Sequence, residues 1–166
     1  ARNLELARLY RASGSLISSV TLDTQAMGQG IVDTIRQEFG QSNCSLVVVQ
    51  EGSQDLLRLT VAGPYADQLD RRKISLYGPG MLAKAIRTGQ VSNVPDVSLC
   101  PDYVANWPAA RSELTIPLKI GSEVIGALDL QSMELNAFNA SDEHLMTIFA
   151  ERAALALSNA RLYEQT

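Results

Sequence analysis

The sequence predicts an α+β fold in which a mostly antiparallel central sheet has the terminal helices on one face and a short helix with long loops on the other. Three observations support this prediction. Apolar residues recur every three or four positions near both ends of the chain, which is the period of an amphipathic helix. Short apolar runs in the middle are separated by tight turns, as in antiparallel strands. Residues 90–110 have no strong period and contain three prolines, which is typical of a lid or a binding loop.

Composition indicates one globular domain and disfavours several functions. The 166 residues are 46% apolar and 19% charged, so the chain can bury a core and is unlike a disordered segment. The net charge of -4 gives no positive field for nucleic acid or an anionic membrane, and the basic run 71–73 is typical of a solvated turn. No run approaches the roughly 20 apolar residues of a membrane helix and no signal peptide opens the chain, so we expect a cytoplasmic protein.

Both ends of the sequence fall inside predicted helices, and the first residue is not Met. We therefore expect residues 1–166 to be a single domain of a longer chain. In this interpretation the amino-terminal helix, residues 1–20, and the carboxyl-terminal helix, residues 140–166, are connectors.

Two helices are predicted at the amino-terminal end. The first covers residues 3–20, and its apolar stripe comprises Leu6, Leu9, Tyr10, Ile17 and Val20. The second starts at an N-cap, either Thr21 or Asp23, and ends at Gly40. Its inner face comprises Met27, Ile31, Ile35 and Phe39.

Three strands are predicted next. Residues 44–50 are a continuous β-branched run, which is typical of a strand buried on both faces. A second strand covers residues 56–62, and an edge strand lies near residues 73–76. The period of two predicts that one face of the second strand comprises Leu57, Leu59 and Val61.

Two further helices are predicted from their boundary residues. Residues 81–88 form a short helix that ends at Gly89. The last helix begins after the N-cap Asn139, with Asp142 three residues later near the positive end of the helix dipole. Its apolar stripe comprises Leu145, Ile148, Phe149, Ala153, Ala156, Leu157, Ala160 and Tyr163.

Residues 112–120 and 124–132 form the clearest hairpin. A two-residue turn would place Leu114 opposite Asp129, whereas a three-residue turn places it opposite Leu130 and keeps one face apolar. The sequence therefore favours the three-residue turn. The other face then carries the cross-strand polar pairs Glu113–Gln131 and Thr115–Asp129.

Several segments, in this order, resemble the GAF domain family. The hairpin 111–132 resembles the family's central hairpin, and residues 137–138 and 154–163 resemble the approach to its final helix and the helix itself. Residues 80–90 and 93–97 are similar to further landmarks of the family. Because these segments span nearly the whole chain, the sequence is identified as a member of this group, with a GAF/PAS-like fold.

The resemblance implies a function. It implies a pocket for a small molecule beneath the short helix and the long loop, and a homodimer formed through the terminal helices. It also implies an input module for an output domain in the same chain, for which we expect a two-component histidine kinase. The alternative is a ligand-free dimerisation and assembly module in which only the helices matter. The small molecule is not identified, and no cofactor or metal is predicted.

Eight residues are candidates for the pocket, because a few polar groups on an apolar wall are typical of small-ligand sites. The loops and the short helix contribute Tyr77, Met81, Tyr103 and Trp107. The sheet contributes Glu113, Thr115, Asp129 and Gln131. The alternative is a collapsed pocket, in which these side chains only pack against one another.

The residues disfavour three specific activities found in the family. Cyclic-nucleotide-binding members resemble one another in an Asn-Lys pair followed by Phe-x-x-x-Asp-Glu, and residues 138–143 fit the second part while residues 131–132 do not supply the pair. A bilin photoreceptor would attach its chromophore to Cys100, but the only histidine, His144, lies in the predicted last helix. Reduction of free methionine sulfoxide requires two cysteines within reach, and Cys44 falls in a predicted buried strand. We therefore expect a protein that is not an enzyme.

Overall fold

The computed structural model describes residues 2–18 and 23–165, which contain four α-helices and six strands. The helices are α1 (Arg2–Ser18), α2 (Thr24–Phe39), α3 (Met81–Thr88) and α4 (Ala140–Gln165). The strands are β1 (Cys44–Val49), β2 (Asp55–Ala62), β3 (Ile74–Ser75), β4 (Ser92–Val94), β5 (Ser112–Ile120) and β6 (Glu123–Ser132). The sheet order is β3-β2-β1-β6-β5-β4, and every neighbouring pair is antiparallel. The predicted α+β class is confirmed.

The helices form layers on both faces of the sheet, as predicted. Helices α1, α2 and α4 pack together over one face, here called the back face, where α4 contacts β5 and α2 contacts β1 and β2. Helix α3 lies on the opposite face, here called the front face, against β5 and β6. The back core is the largest of three apolar clusters among the described residues, and the rings of Phe39 and Phe149 meet in it with their centroids 5.4 Å apart. A smaller apolar cluster lies on the front face, between the sheet and α3.

Helix boundaries follow the residues that predicted them. At the start of α2 the side chain of Asp23 accepts hydrogen bonds from two backbone N–H groups, and Gly40 ends the helix in the left-handed conformation. Gly89 ends α3 in the same way. At the start of α4, the Asn139 side chain accepts a hydrogen bond from the backbone N–H of Asp142 at 2.8 Å, and the Asp142 side chain accepts from that of Asn139 at 2.9 Å. This reciprocal pair is a capping box.

Helix α1 buries a stripe that only partly matches the predicted one, with Leu9 common to both. Its buried face comprises Leu9, Ala12 and Leu16. Leu6 and Tyr10 were predicted to face inward, but both are exposed, because the layer formed with α2 and α4 contacts only the other side of the helix. Val20 and the alternative N-cap Thr21 lie outside the described residues.

Helix α4 runs across the back face and supplies much of the back core. Its buried residues are Leu145, Met146, Phe149, Ala150, Ala153, Ala154, Leu157 and Ala160. Tyr163, which we predicted to belong to the apolar stripe, is exposed near the end of the helix, as are Leu155 and Leu162. Within the part of the chain that the structure describes, no helix is both long and apolar enough to cross a membrane.

A β-bulge interrupts the pairing of β1 with β2. Leu46 pairs with Thr60, whereas the next residue, Val47, pairs with Arg58, so Leu59 is the extra residue on β2. An extra residue reverses the faces of all residues beyond it, because side chains alternate along a strand.

The bulge has two consequences for β2. Leu59 packs on the back core while Val61 packs on the front face, so the prediction that Leu57, Leu59 and Val61 share one face is wrong. Arg58, directly opposite Val47, lies on the front face. A guanidinium group is thereby placed beneath the front loops.

The hairpin of β5 and β6 has the predicted register but a shorter turn. Leu114 lies opposite Leu130, as predicted. The turn consists of residues 121–122 alone, and a bulge at Ile125 shifts the register by one residue. The predicted three-residue turn is therefore wrong, although the apolar face from which it was inferred is present.

Residues 90–110 are less irregular than predicted. The strand β4 (Ser92–Val94) pairs with β5 and extends the sheet at that edge. A single 3-10 turn follows at Val97–Leu99, started by the Asp96 side chain, which accepts a hydrogen bond from the backbone N–H of Ser98. The rest of this segment reaches over the front face.

Candidate functional site

A cavity of about 370 Å³ lies on the front face, between the segment that leads into α3, the first residues of α3 and the loop 104–106. Its lining comprises Asp70, Arg72, Lys73, Ile74, Ser75, Gly78, Pro79, Gly80, Met81, Leu82, Val104, Ala105, Asn106 and Glu113. The volume is near the lower end of the roughly 300–1,000 Å³ that small-ligand sites occupy. Glu113 is the one lining residue that comes from β5, so it forms the floor.

Two of the eight predicted pocket residues, Met81 and Glu113, line this cavity. Tyr77 lies in the turn before α3 with 68% of its surface exposed. Trp107 is buried beside the cavity, where its ring meets that of Tyr65 edge-on with a centroid distance of 5.2 Å. Tyr103 is half-buried in the front loop. Ligand binding by these residues stays a prediction.

The other three predicted residues form a buried polar layer with Glu113. Thr115, Asp129 and Gln131 are all nearly inaccessible to solvent. The Asp129 carboxylate accepts a hydrogen bond from the Thr115 hydroxyl at Oδ1, 3.4 Å away, and from the Gln131 amide at Oδ2, 2.9 Å away. The Gln131 amide also donates to the side chain of Asn106, which lines the cavity, at 3.0 Å. The polar layer is therefore bonded to the wall of the cavity.

Glu113 lies beside Asp129 and is 4% exposed. Its pKa is raised well above the usual carboxyl value, first by burial, then by the negative charge of Asp129 and a hydrogen bond with that residue. The positive charge of Arg58 acts in the opposite direction without reversing the shift in pKa. Glu113 therefore keeps its proton to a higher pH than a carboxyl group in water does.

Arg58 is the main front-face residue that the sequence analysis did not select. Its Nη1 donates to the hydroxyl of Ser45 at 2.5 Å, while Nη2 is buried without a hydrogen-bond partner among the described residues. The sequence did contain an indication that Arg58 matters, because a charged residue stands between two apolar residues, Leu57 and Leu59, in a predicted strand. The face on which it lies depends on the bulge, which the alternation of residues does not reveal.

Contacts between loops hold the roof of the cavity in place. Lys84 on α3 forms an ion pair with Asp102 in the front loop, with Nζ and Oδ2 2.8 Å apart. The Cys100 thiol lies 3.8 Å from the Met81 sulfur. Arg87 donates two hydrogen bonds of 2.9 Å to backbone carbonyls in the turn before α3, at residues 76 and 78. The short helix, the turn and the front loop are thus linked to one another.

The two cysteines lie in different environments. Cys44 is fully buried in the back core, and burial, followed by the charge of Asp129, raises the pKa of its thiol. Cys100 is partly exposed in the front loop. Within the described residues, no group of three or more His, Cys, Asp or Glu side chains is placed to hold a metal ion.

Comparison with known families identifies the fold. A family profile described as the GAF domain matches residues 21–158, most of the chain. The chain belongs to the GAF domain family. The resemblance from the hairpin and the final helix is thereby confirmed, and the front cavity of this GAF domain lies where the resemblance placed a pocket.

Among curated relatives, the anaerobic nitric oxide reductase transcription regulator NorR of Citrobacter koseri is 34% identical over 143 residues. This match covers 82% of the chain but 28% of NorR. The chain spans about half or less of the length of these curated relatives. The similarity is therefore to one part of NorR, and the remainder of NorR has no counterpart in this match.

Two solved structures share the fold. The GAF domain of a phosphoenolpyruvate-protein phosphotransferase from Coxiella burnetii has a TM-score of 0.83 at 18% identity, covering 98% of this chain and 97% of that one. Free methionine-R-sulfoxide reductase from Neisseria meningitidis, solved with its substrate, has a TM-score of 0.80 at 24% identity, covering 93% and 88%. At these identities the likeness is one of fold alone.

Proposed function

We propose that this GAF domain is a sensory and regulatory module that binds a small molecule in the front cavity. The observation that supports this most directly is the cavity itself, about 370 Å³ in volume, with the buried Glu113 as its floor. This volume favours a ligand site over the alternative drawn from the sequence, a collapsed pocket whose side chains only pack against one another. The walls of the front cavity mix apolar and polar side chains, as ligand sites do.

A variant that fills the cavity tests this proposal. Ala105 is exposed and lines the cavity, so Ala105→Trp is expected to occupy the space without disturbing the core. Ala26→Trp is the matched control, because Ala26 is exposed on α2 and does not line the cavity. Thermal shift is measured against cyclic nucleotides, nucleobases, amino acids and tetrapyrroles.

We expect at least one compound to raise the melting temperature of the original chain and the control, but not that of Ala105→Trp. A ligand at about 100 times its Kd adds about 2.7 kcal/mol to the free energy of unfolding, which such an assay detects. The proposal fails if no compound stabilises the original chain, or if Ala105→Trp responds equally.

We further propose that the terminal helices form a homodimer and carry the signal to an output domain in the same chain. Exposed apolar residues on both helices support this role, since they lie outside the core: Leu4, Leu6 and Tyr10 on α1, and Leu155, Leu162 and Tyr163 on α4. Leu155 and Leu162 are seven residues apart and therefore share one face of α4. Ligand binding would shift the population of helix arrangements at this interface.

Light scattering coupled to size exclusion tests the dimer. Leu155→Glu with Leu162→Glu is expected to yield monomers, because the charges would lie in the interface. Asp67→Lys, a charge change at an exposed position outside α1 and α4, is the control and is expected to leave the mass unchanged. A monomeric original chain would refute the proposal.

For the output we propose a cytoplasmic signalling protein, either a two-component histidine kinase or a transcription regulator. The similarity to NorR supports regulation of this general kind. In either case the domain would act by changing the arrangement of α1 and α4. Fusing it to a kinase core and measuring autophosphorylation with and without a ligand found in the screen tests this role, and an unchanged rate would refute it.

We propose that the domain itself is not an enzyme. A thiol reductase requires an attacking and a resolving cysteine within reach, and the sequence has two cysteines. Cys44 packs in the back core and Cys100 lies in the front loop, on the other side of the sheet. Incubation with free methionine sulfoxide and a thiol reductant is expected to give no methionine above the level without protein, and sustained turnover would refute this.

A further inference from the structure

Glu113 is the carboxyl group that reaches the cavity from below. The other lining carboxyl group, Asp70, lies at the rim and is ion-paired with Arg72 at 2.6 Å. Among the described residues, Glu113 forms no ion pair. The floor of the cavity is therefore a buried acid without a cationic partner at hydrogen-bonding distance.

The residues behind Glu113 are already bonded. Both carboxylate oxygens of Asp129 accept hydrogen bonds, one from Thr115 and one from Gln131, and Asp129 does not line the cavity. Asp129 therefore acts on the cavity through its charge, by favouring positive charge next to Glu113. Arg58, whose charge opposes this, donates from Nη1 to the hydroxyl of Ser45, while its Nη2 has no hydrogen-bond partner among the described residues.

Two further oxygen atoms beside this pair have no hydrogen-bond partner among the described residues. One is Oε1 of Gln131, a residue only 2% exposed whose amide nitrogen bonds to Asp129. The other is the hydroxyl of Tyr103, which is close enough for the charges of Glu113 and Asp129 to raise its pKa, although burial is the larger cause. Both oxygens can accept a hydrogen bond, and buried polar atoms are nearly always bonded.

We propose that the ligand of the front cavity carries a compact cationic nitrogen group, such as a primary ammonium, which binds the buried carboxyl group of Glu113 at the floor. The inference rests on the proposed sensing function and specifies its ligand class. On binding, Glu113 releases its proton to solvent, and an N–H donor of the ligand bonds to the carboxylate, which is the buried acid that lines the cavity. An ammonium has three donors and no acceptor, which suits a carboxylate.

Proton exchange makes binding depend on pH. Lowering the pH returns the proton to Glu113, which then competes with the ligand, so affinity falls. The titratable and charged groups that face Glu113 are Asp129 and Arg58 from the sheet, Tyr103 and Cys100 from the front loop, and Asp70, Arg72 and Lys73 at the rim. Affinity is expected to rise up to about tenfold per pH unit until the pKa of Glu113 is passed.

A pair of isosteric probes tests the inference on the intact chain. 3-Methylbutylamine and 3-methylbutanol have the same shape and differ in charge, and both are titrated into isotope-labelled protein by NMR. We expect the amine to shift the resonances of residues 104–106 and 113 and to bind at least about tenfold more tightly than the alcohol, as a charge-assisted hydrogen bond provides. Its affinity should rise between about pH 5 and pH 8, and that of the alcohol should not.

Glu113→Gln keeps the shape of the side chain and removes its charge. This variant is expected to weaken amine binding about tenfold or more and to abolish its pH dependence, while the alcohol is unaffected. Glu123→Gln, at the exposed start of β6, is the control and should bind the amine as the original chain does. Unfolding curves recorded for both variants establish that they are folded.

The outcomes separate this inference from the sensing proposal. If the amine binds no better than the alcohol, or with no pH dependence, the inference is wrong. If uncharged or anionic compounds bind and are excluded by Ala105→Trp while amines fail, the domain is a sensor of another ligand class. If no compound of either panel binds, both proposals fall.

Discussion

Replacing Glu113 with Gln should change how the stability of the domain depends on pH. In the unfolded chain this carboxyl group loses its proton near the usual value of 4.5, whereas burial and the charge of Asp129 hold its pKa well above that in the fold. Between these two values the folded chain binds one more proton than the unfolded chain. The free energy of unfolding therefore falls as pH rises through this window. Glutamine, which does not titrate, removes that part of the dependence.

The size of the effect follows from the number of protons. One proton changes the free energy of unfolding by at most about 1.4 kcal/mol per pH unit. The stability of Glu113→Gln relative to the original chain is thus expected to increase by up to this amount per unit above the usual pKa, and then to level off. Asp129→Asn removes the second cause of the raised pKa of Glu113. The free energy of unfolding of that variant should therefore stop falling with pH at a lower pH than that of the original chain.

Urea unfolding followed by circular dichroism, at several pH values between about 5 and 8, measures these differences. Taking the difference between two proteins cancels the contributions of groups that both contain. The exposed Glu123 provides the control, since Glu123→Gln should show no such slope. A difference between Glu113→Gln and the original chain that stays constant with pH would show that Glu113 titrates normally in the fold, and the reasoning about its environment would be refuted.

Three further predictions concern stability and are checked by the same unfolding measurements. Gly126→Ala should destabilise the domain by about 1–3 kcal/mol or more, because the added Cβ would lie 2.2 Å from the Val47 carbonyl oxygen. Gly30→Ala should instead stabilise α2 by up to about 1 kcal/mol, because the space around Gly30 is open. Phe149→Ala should cost about 3–5 kcal/mol, since the ring is fully buried in the back core. Asn139→Ala should cost about 1 kcal/mol through loss of the capping box. Equal effects of the two glycine substitutions, or none at the other positions, would contradict these predictions.

Local chemistry explains why much of the fold could be predicted. The caps at Asp23, Gly40, Gly89 and Asn139 act on the backbone within a few residues, so their effect is readable in the sequence. The register of β5 and β6 could be predicted as well, because burying Leu114 opposite its apolar partner outweighs the preference of any one turn.

The candidate site was predicted less completely. Glu113, Thr115, Asp129 and Gln131 share one face, as expected from the alternation of residues in a hairpin. Their separation into a floor and a buried layer depends on how the loops pack over them. Tyr77 lies outside the cavity lining for the same reason, and Asn106 and Asp70 enter it.

By itself, the sequence of this chain determined the order of its elements, where its helices begin and end, and the apolar face of its central hairpin, since each depends on neighbours along the chain or on a repeating period. Only the tertiary structure decided which residues surround the cavity. The bulges at Leu59 and Ile125 shift strand faces by one residue, and the 104–106 loop meets α3 and β5 through contacts between distant residues. Such contacts follow from how whole layers pack, which no local pattern specifies.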